Sequence, residues 1–232
     1  MLSNFFNKNL FYKFKDCFVE ILNYIYKQKC VACGCSQPDK ILCTKCSQLV
    51  HKLSPYAQRI ILNVHIFSGY KYENSVQKLI KNLKFNHNRR SAKACAYLLF
   101  EYFKDVVREN NLDINPKNTI IVPIPSHKLR SLERGYCHLE LITKEFSNLS
   151  SIECDFNLIK KVKNTRSQYK VRANQRAKNV RGAFRVNIDN KSEKTILLID
   201  DLVTTGATLE EVIGEIKKYK NNKIICITLA CA

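Results

Sequence analysis

A chain of 232 residues, 45% of them hydrophobic, has room for one α/β domain with a small appendage or for two small domains, and is too apolar for wholesale disorder. Its 39 Lys and Arg against 20 Asp and Glu leave a formal net charge of +19. That excess favours polyanions such as nucleic acid, phosphorylated metabolites or an anionic lipid surface, with a Lys-rich composition as its plainer source.

The chain can be taken in order. Within residues 4–26, Phe11, Phe14, Phe18, Leu22 and Ile25 fall three or four apart and predict an amphipathic helix over the first 29 residues. It packs on the body of the protein or, given flanking Lys8, Lys13 and Lys27, docks on a membrane surface or a partner. Asn, Lys and Asp interrupt this segment and no small-residue cleavage site follows, so it does not read as a signal peptide. A Cys-rich knot and a polar segment occupy residues 30–60. Residues 61–232 alternate strands with helices. A strand, turn and helix lie in IFSGYKYENSVQKLIKNLKF, a helix in 91–110, a buried strand in Thr119–Pro125 and a helix in LELITKEF. A basic, weakly periodic stretch follows, then the buried strands KTILLID and KIICITLA around the helix TLEEVIGEIKKY. This alternation predicts a doubly wound parallel sheet. No run of 18 apolar residues occurs, so no transmembrane helix is expected.

Eleven cysteines are an odd number, and the scatter of most of them suggests a reducing, cytoplasmic setting rather than a disulfide framework. Cys30-x2-Cys33 and Cys43-x2-Cys46 form two knuckles nine residues apart. Four thiolates so spaced can close a tetrahedron around Zn²⁺, with Cys35 as an alternative to Cys33. A module this small has too little core to fold alone, so the metal would be structural.

The stretch TILLIDDLVTTGATLE runs from a strand buried on both faces into two acids, then a loop and a helix start. Ligands of open α/β sheets bind outside the carboxyl ends of strands. Amides of Thr204, Thr205, Gly206, Ala207 and Thr208, at a helix N-terminus, can cradle a phosphate. Asp200 and Asp201 suit ribose hydroxyls, directly or through Mg²⁺. Together they describe a site for a ribose 5-phosphate. Between residues 155 and 185, ten basic residues face one acid, Asp155, with Tyr169 and Phe184 interleaved. Lys160, Lys161, Lys163, Arg166, Arg172 and Arg176 are the candidates for contacts with single-stranded nucleic acid, or for closure over a phosphorylated ligand. The five histidines form no ligand pair at helical spacing; only His127 and His138 stand apart, beside the basic KLRSLERGY stretch.

LLIDDLVTTGATLEE resembles the signature of type I phosphoribosyltransferases, which bind phosphoribosyl pyrophosphate (PRPP) through residues matching Asp200 to Thr208, Leu202 and Val203 included. The Cys pairs, YENSVQKLIKNLKF, VPIPSHKLRSLERGY, RSQYKVRANQRAKNVRGAF and the PRPP loop come in the order of the ComF/ComFC competence proteins. Where that family has Asn-Gln after Arg-Gly and an aromatic, this chain has Cys137-His138. The resemblance implies a phosphoribosyltransferase-like domain over residues 61–232, behind a small zinc-binding module. It also implies a part in DNA uptake beside other competence proteins, with single-stranded DNA and PRPP or a related ribose phosphate as ligands. Lys128, Arg130 and Arg134 would then meet the pyrophosphate, with Mg²⁺. In a true transferase Asp200, Asp201 and Arg134 would serve catalysis; a non-catalytic ribose-phosphate sensor or scaffold is the third possibility.

Overall fold

Apolar, β-branched runs want burial on both faces, and the fold supplies it. In the computed structural model, residues 29–36, 41–126, 135–163, 179–187, 194–219 and 222–232 are described. The predicted N-terminal helix, Lys128, Arg130, Arg134, Arg166, Arg172 and Arg176 lie outside them. Strands β1 (Arg59–Ile61), β2 (Val64–Lys71), β3 (Thr119–Pro123), β6 (Thr195–Val203) and β7 (Lys223–Cys231) form one sheet in the order β1-β2-β7-β6-β3. β2, β7, β6 and β3 run parallel, and only the edge strand β1 is antiparallel to its neighbour. Ile196 to Ile199 of β6 and Cys226 to Ala230 of β7 are buried throughout, as expected of central strands covered on both sides.

Helices supply the cover. They are α1 (Thr44–Gln48), α2 (Asn74–Phe85), α3 (Ser91–Glu109), α4 (His138–Ser150) and α5 (Ala207–Ile216). α3 and α4 pack side by side against β2, β7, β3 and β6. Phe146 of α4 meets Phe100 and Phe103 of α3 edge-on, with ring centroids 5.8 and 5.5 Å apart. α5 connects β6 to β7 and packs against β1 and the short strand β5 (Phe184–Val186). β4 (Ile159–Lys161) and β5 (Phe184–Val186) make a separate antiparallel pair. Tyr219 Oη donates to the Val186 carbonyl (3.0 Å), and Gly182 N–H donates to Glu211 Oε1 (2.6 Å), so this pair is tied to α5.

The predicted strands and helices of residues 61–232 appear where the periodicity places them. Three strands come in addition, β1 after the Cys-rich knot and the pair β4 and β5 from the basic stretch. Each is three residues long, too short for a period to register. The outer edge of β3 carries one further parallel bridge, Ile121 to Cys154, with Ile121 N–H donating to Glu153 O (2.8 Å).

Candidate functional site

The turn after β6 brings the acid pair and the loop together. Successive residues of a strand face opposite sides of its sheet, so Asp200 and Asp201 part company. Asp201 faces α2 and α4 and is 4% exposed. Its Oδ2 lies 2.6 Å from Lys84 Nζ, at the end of α2, and 2.9 Å from His138 Nε2, in the first turn of α4. Burial opposes its ionisation, but Lys84 and then His138 outweigh burial and hold the carboxyl well below the usual carboxylate range. Asp201 is thus a fixed anion engaged from both sides. Asp200 is half-buried, and its Oδ1 accepts from the Asp201 N–H (2.8 Å). Burial, and next the charge of Asp201, push its pKa up to about 8.

That shift has a sign. Asp200 is raised above the unfolded value of about 3.9. The stability its neutral form contributes is therefore fully present below about pH 4 and lost as pH rises through about 8. Asp200→Asn keeps the shape without the ionisation. In denaturant titrations its advantage over the parent is expected to grow by about 1 to 2 kcal/mol between pH 6 and pH 9, allowing for water at the half-buried carboxyl. An advantage of equal size at both pH values would contradict the assignment.

Beyond the acids, Gly206 adopts φ +83° and opens α5, whose first turn has no side-chain cap. Ala207 N–H donates to Thr205 Oγ1 (3.4 Å). Thr205 is exposed, and Thr204 and Thr208 are half-buried, so the turn meets solvent. Its other side is clasped by β1. Arg59 Nη1 donates to the Thr204 carbonyl (2.9 Å), and a Cβ on Gly206 would stand 2.8 Å from Ile61 Cδ1 and 3.0 Å from Arg59 Nη1. With the Thr204 carbonyl held toward β1, the Thr205 N–H of the same trans peptide points the other way, which suits an anion. Arg59 has no motif signal, because its role depends on β1 folding back across the chain.

The predicted pyrophosphate residues lie outside the described residues, but their flanks are held. Arg89 Nη2 donates to the Gly135 carbonyl (3.4 Å), its guanidinium sits 4.9 Å above the Tyr136 ring, and Tyr136 Oη donates to the Leu83 carbonyl (2.7 Å). Lys84, Arg89 and His138 thus gather at one end of α2. Lys84 and Arg89 carry no signal in the sequence, and His138 carries only its nearness to the KLRSLERGY stretch, since these residues come together only in the tertiary fold.

Of the nucleic-acid candidates, Lys160, Lys161 and Lys163 are described. Lys160 stands directly opposite Arg185 across the β4–β5 pair, and both are exposed. Like charges in that relation destabilise a sheet unless an anion lies between them. Lys161 Nζ lies 5.5 Å from the Phe184 ring centroid, and Lys163 Nζ donates to the Arg181 carbonyl (3.2 Å).

In the Cys-rich knot, Gly34 adopts φ +79° after Cys33, and Gly34 N–H donates to the Cys30 carbonyl (2.8 Å), closing a tight knuckle. The sulfurs of Cys30, Cys33, Cys35 and Cys43 all lie within 4.8 Å of one another and are placed to hold a metal ion. Cys33 and Cys43 Sγ are 3.7 Å apart, close to the ~3.8 Å edge of a tetrahedron with metal–sulfur bonds of about 2.3 Å. Spacing pairs Cys46 with Cys43 and offers Cys35 as a substitute for Cys33. The fold instead gathers both Cys33 and Cys35, while Cys46, buried on α1, meets Cys43, Cys33 and Cys30. The knot docks on α2, where Asn82 Nδ2 donates to the Val31 carbonyl (2.7 Å).

Residues 82–231 match the family model described as phosphoribosyl transferase domain. This chain belongs to the phosphoribosyltransferase domain family. Within that family its relatives are of the ComF kind. Competence protein F of Haemophilus influenzae is 29% identical over 150 residues, covering 63% of this chain and 64% of that protein's length. The DNA utilization protein YhgH of Salmonella typhimurium is 26% identical over 183 residues, 79% of this chain and 75% of that one. Its namesake in Escherichia coli K12 is 25% identical over 195 residues, 79% and 81%. The phosphoribosyltransferase model begins inside α2 and ends at the last residue of β7. It therefore covers Lys84, the acid pair and the loop, and leaves the Cys-rich knot, β1 and β2 outside. Among the described residues no helix is long and apolar enough to cross a membrane.

Proposed function

We propose that this protein is a ComF-like factor of DNA uptake that binds single-stranded DNA and PRPP or a related ribose 5-phosphate, in the cytoplasm, with a structural zinc ion in the Cys-rich knot. The observation that carries this reading is the Thr204–Thr208 turn, open to solvent at Thr205, at the carboxyl end of the central strand β6, with Asp200 beside it. Its amides would take the 5-phosphate, and Asp200 the ribose hydroxyls. Mg²⁺ would arrive with the pyrophosphate, opposite Lys128, Arg130 and Arg134. Asp201 would act through Lys84 and His138 by fixing the strand end. The role in DNA use follows the names of the relatives, competence protein F and DNA utilization protein. It is supported by the exposed Lys160–Arg185 pair on a hairpin tied to the same helix that carries the phosphate turn.

The two ligands are tested separately. PRPP with Mg²⁺ is expected to raise the melting temperature in a dose-dependent way, and an unmoved transition at saturating ligand would refute the sugar-phosphate site. Affinity for short single-stranded DNA should fall steeply with salt. Changing Lys160, Lys161 and Lys163 together to Glu should lower the slope of log affinity against log salt by about 2, from roughly 0.7 per phosphate contact. Unchanged affinity and slope would remove the hairpin from the DNA contact.

A second reading, an active transferase passing ribose 5-phosphate from PRPP to a base or amine, is favoured by one observation. The adjacent carboxyls are pushed apart, Asp201 held ionised and Asp200 holding its proton to about pH 8. Asp200 would then manage a proton at the acceptor while Arg134 meets the departing pyrophosphate. Pyrophosphate release with PRPP, Mg²⁺ and a panel of nucleobases decides it. Release establishes turnover, and silence across the panel leaves a binding protein.

A further inference from the structure

The Cys-rich knot holds more sulfur than one metal ion can use. A closed structural zinc site takes four thiolates. Cys30, Cys33, Cys35 and Cys43 lie within 4.8 Å of one another. Cys46 meets three of the same four, Cys43, Cys33 and Cys30. Cys30, Cys33 and Cys43 are thus common to two overlapping tetrads, and Cys35 and Cys46 contend for the last vertex. The contenders differ in setting. Cys46 is 4% exposed on α1 and touches Ser75 at the start of α2, whereas Cys35 is exposed on the loop beyond the knuckle. The loop carrying Cys35 is fixed by the main chain, since Cys30 N–H donates to the Cys35 carbonyl (2.8 Å).

We propose that the zinc site has an exchangeable fourth ligand, with buried Cys46 and solvent-facing Cys35 alternating on one ion while Cys30, Cys33 and Cys43 stay bound. The inference rests on the zinc reading above. In the exchange, the thiolate of one contender forms a sulfur–zinc bond as the other breaks, the departing sulfur takes up the proton that the entering one released, and no oxidant is needed. With Cys35 on the ion, the metal is held from the solvent side and passes readily to an outside chelator. With Cys46 on it, the metal is held against α2, the helix that receives the knot through Asn82 and carries Lys84, beside Asp201, in its last turn.

The test measures zinc content of the purified full chain and the rate of zinc transfer to 4-(2-pyridylazo)resorcinol. The parent should carry one zinc; a parent without zinc would overturn both the zinc reading and the exchange. Cys46→Ser is expected to keep one zinc because Cys35 takes the vertex, whereas Cys43→Ser and the double variant Cys35→Ser with Cys46→Ser should lose it. Since Cys46 is buried and its replacement can unfold the knot, the deciding variant is Cys35→Ser at the surface. It should keep one zinc and release it several-fold more slowly than the parent. Release at the parental rate would overturn the exchange and leave the zinc reading standing.

Discussion

Asp201→Ala is expected to destabilise the protein by about 3 kcal/mol, the low end of the range for breaking a buried ion pair. The substitution removes the buried carboxylate that Lys84 and His138 share at the end of β6. One feature keeps the loss from the upper end: the Lys84 side chain is 23% exposed and can reach toward water. Asp201→Asn should cost less, because the amide oxygen still accepts from both. The comparison is read as a fall in the denaturant midpoint at unchanged slope, so that it reports stability and not compactness. A loss below about 1 kcal/mol for the alanine variant would place this pair among surface ion pairs and contradict its burial.

Gly206→Val is expected to weaken PRPP binding at least about 30-fold, equivalent to some 2 kcal/mol. Two costs add. A β-branched residue at φ +83° is a backbone outlier, worth roughly 1 to 2 kcal/mol even before contacts are counted. The new Cβ would also press on Ile61 Cδ1 at 2.8 Å and Arg59 Nη1 at 3.0 Å. Ile61 can swing aside, but Arg59 cannot do so without releasing the Thr204 carbonyl and the peptide plane it orients. Gly214→Ala provides the control. It lies inside the same helix α5, where an added Cβ comes no nearer than 3.7 Å to Leu62, and should gain about 0.5 to 1 kcal/mol in stability with PRPP affinity unchanged. Calorimetric titration of both variants settles the matter, and equal affinity for PRPP in the valine variant and the parent would remove the turn from the site.

Much of the architecture can be read from apolar runs alone, because β3, β6 and β7 are buried on both faces and leave no polar alternation to misread. The acid pair and its turn are likewise contiguous in the chain, so a linear motif captures them. The partners of that motif are not contiguous. Lys84 comes from α2, His138 from α4 and Arg59 from an edge strand of three residues, and each reaches the motif only through the sheet order. Spacing treats Asp200 and Asp201 as equivalent ribose ligands. The two-residue period of a strand separates them, giving one a lysine and a histidine and leaving the other half-buried with a raised pKa. The knot has a similar limit, because spacing offers Cys35 only in place of Cys33, whereas the turn at Gly34 lets both join the cluster.

The flanks of the sheet carry a further implication. Four parallel, almost wholly apolar strands would offer neighbouring molecules a template for accretion at either rim. At one rim β1 closes the exposed ladder with three residues running the other way, and at the opposite rim β3 engages its own chain at Cys154. Accidental stacking of copies into fibrils is thereby discouraged at both ends.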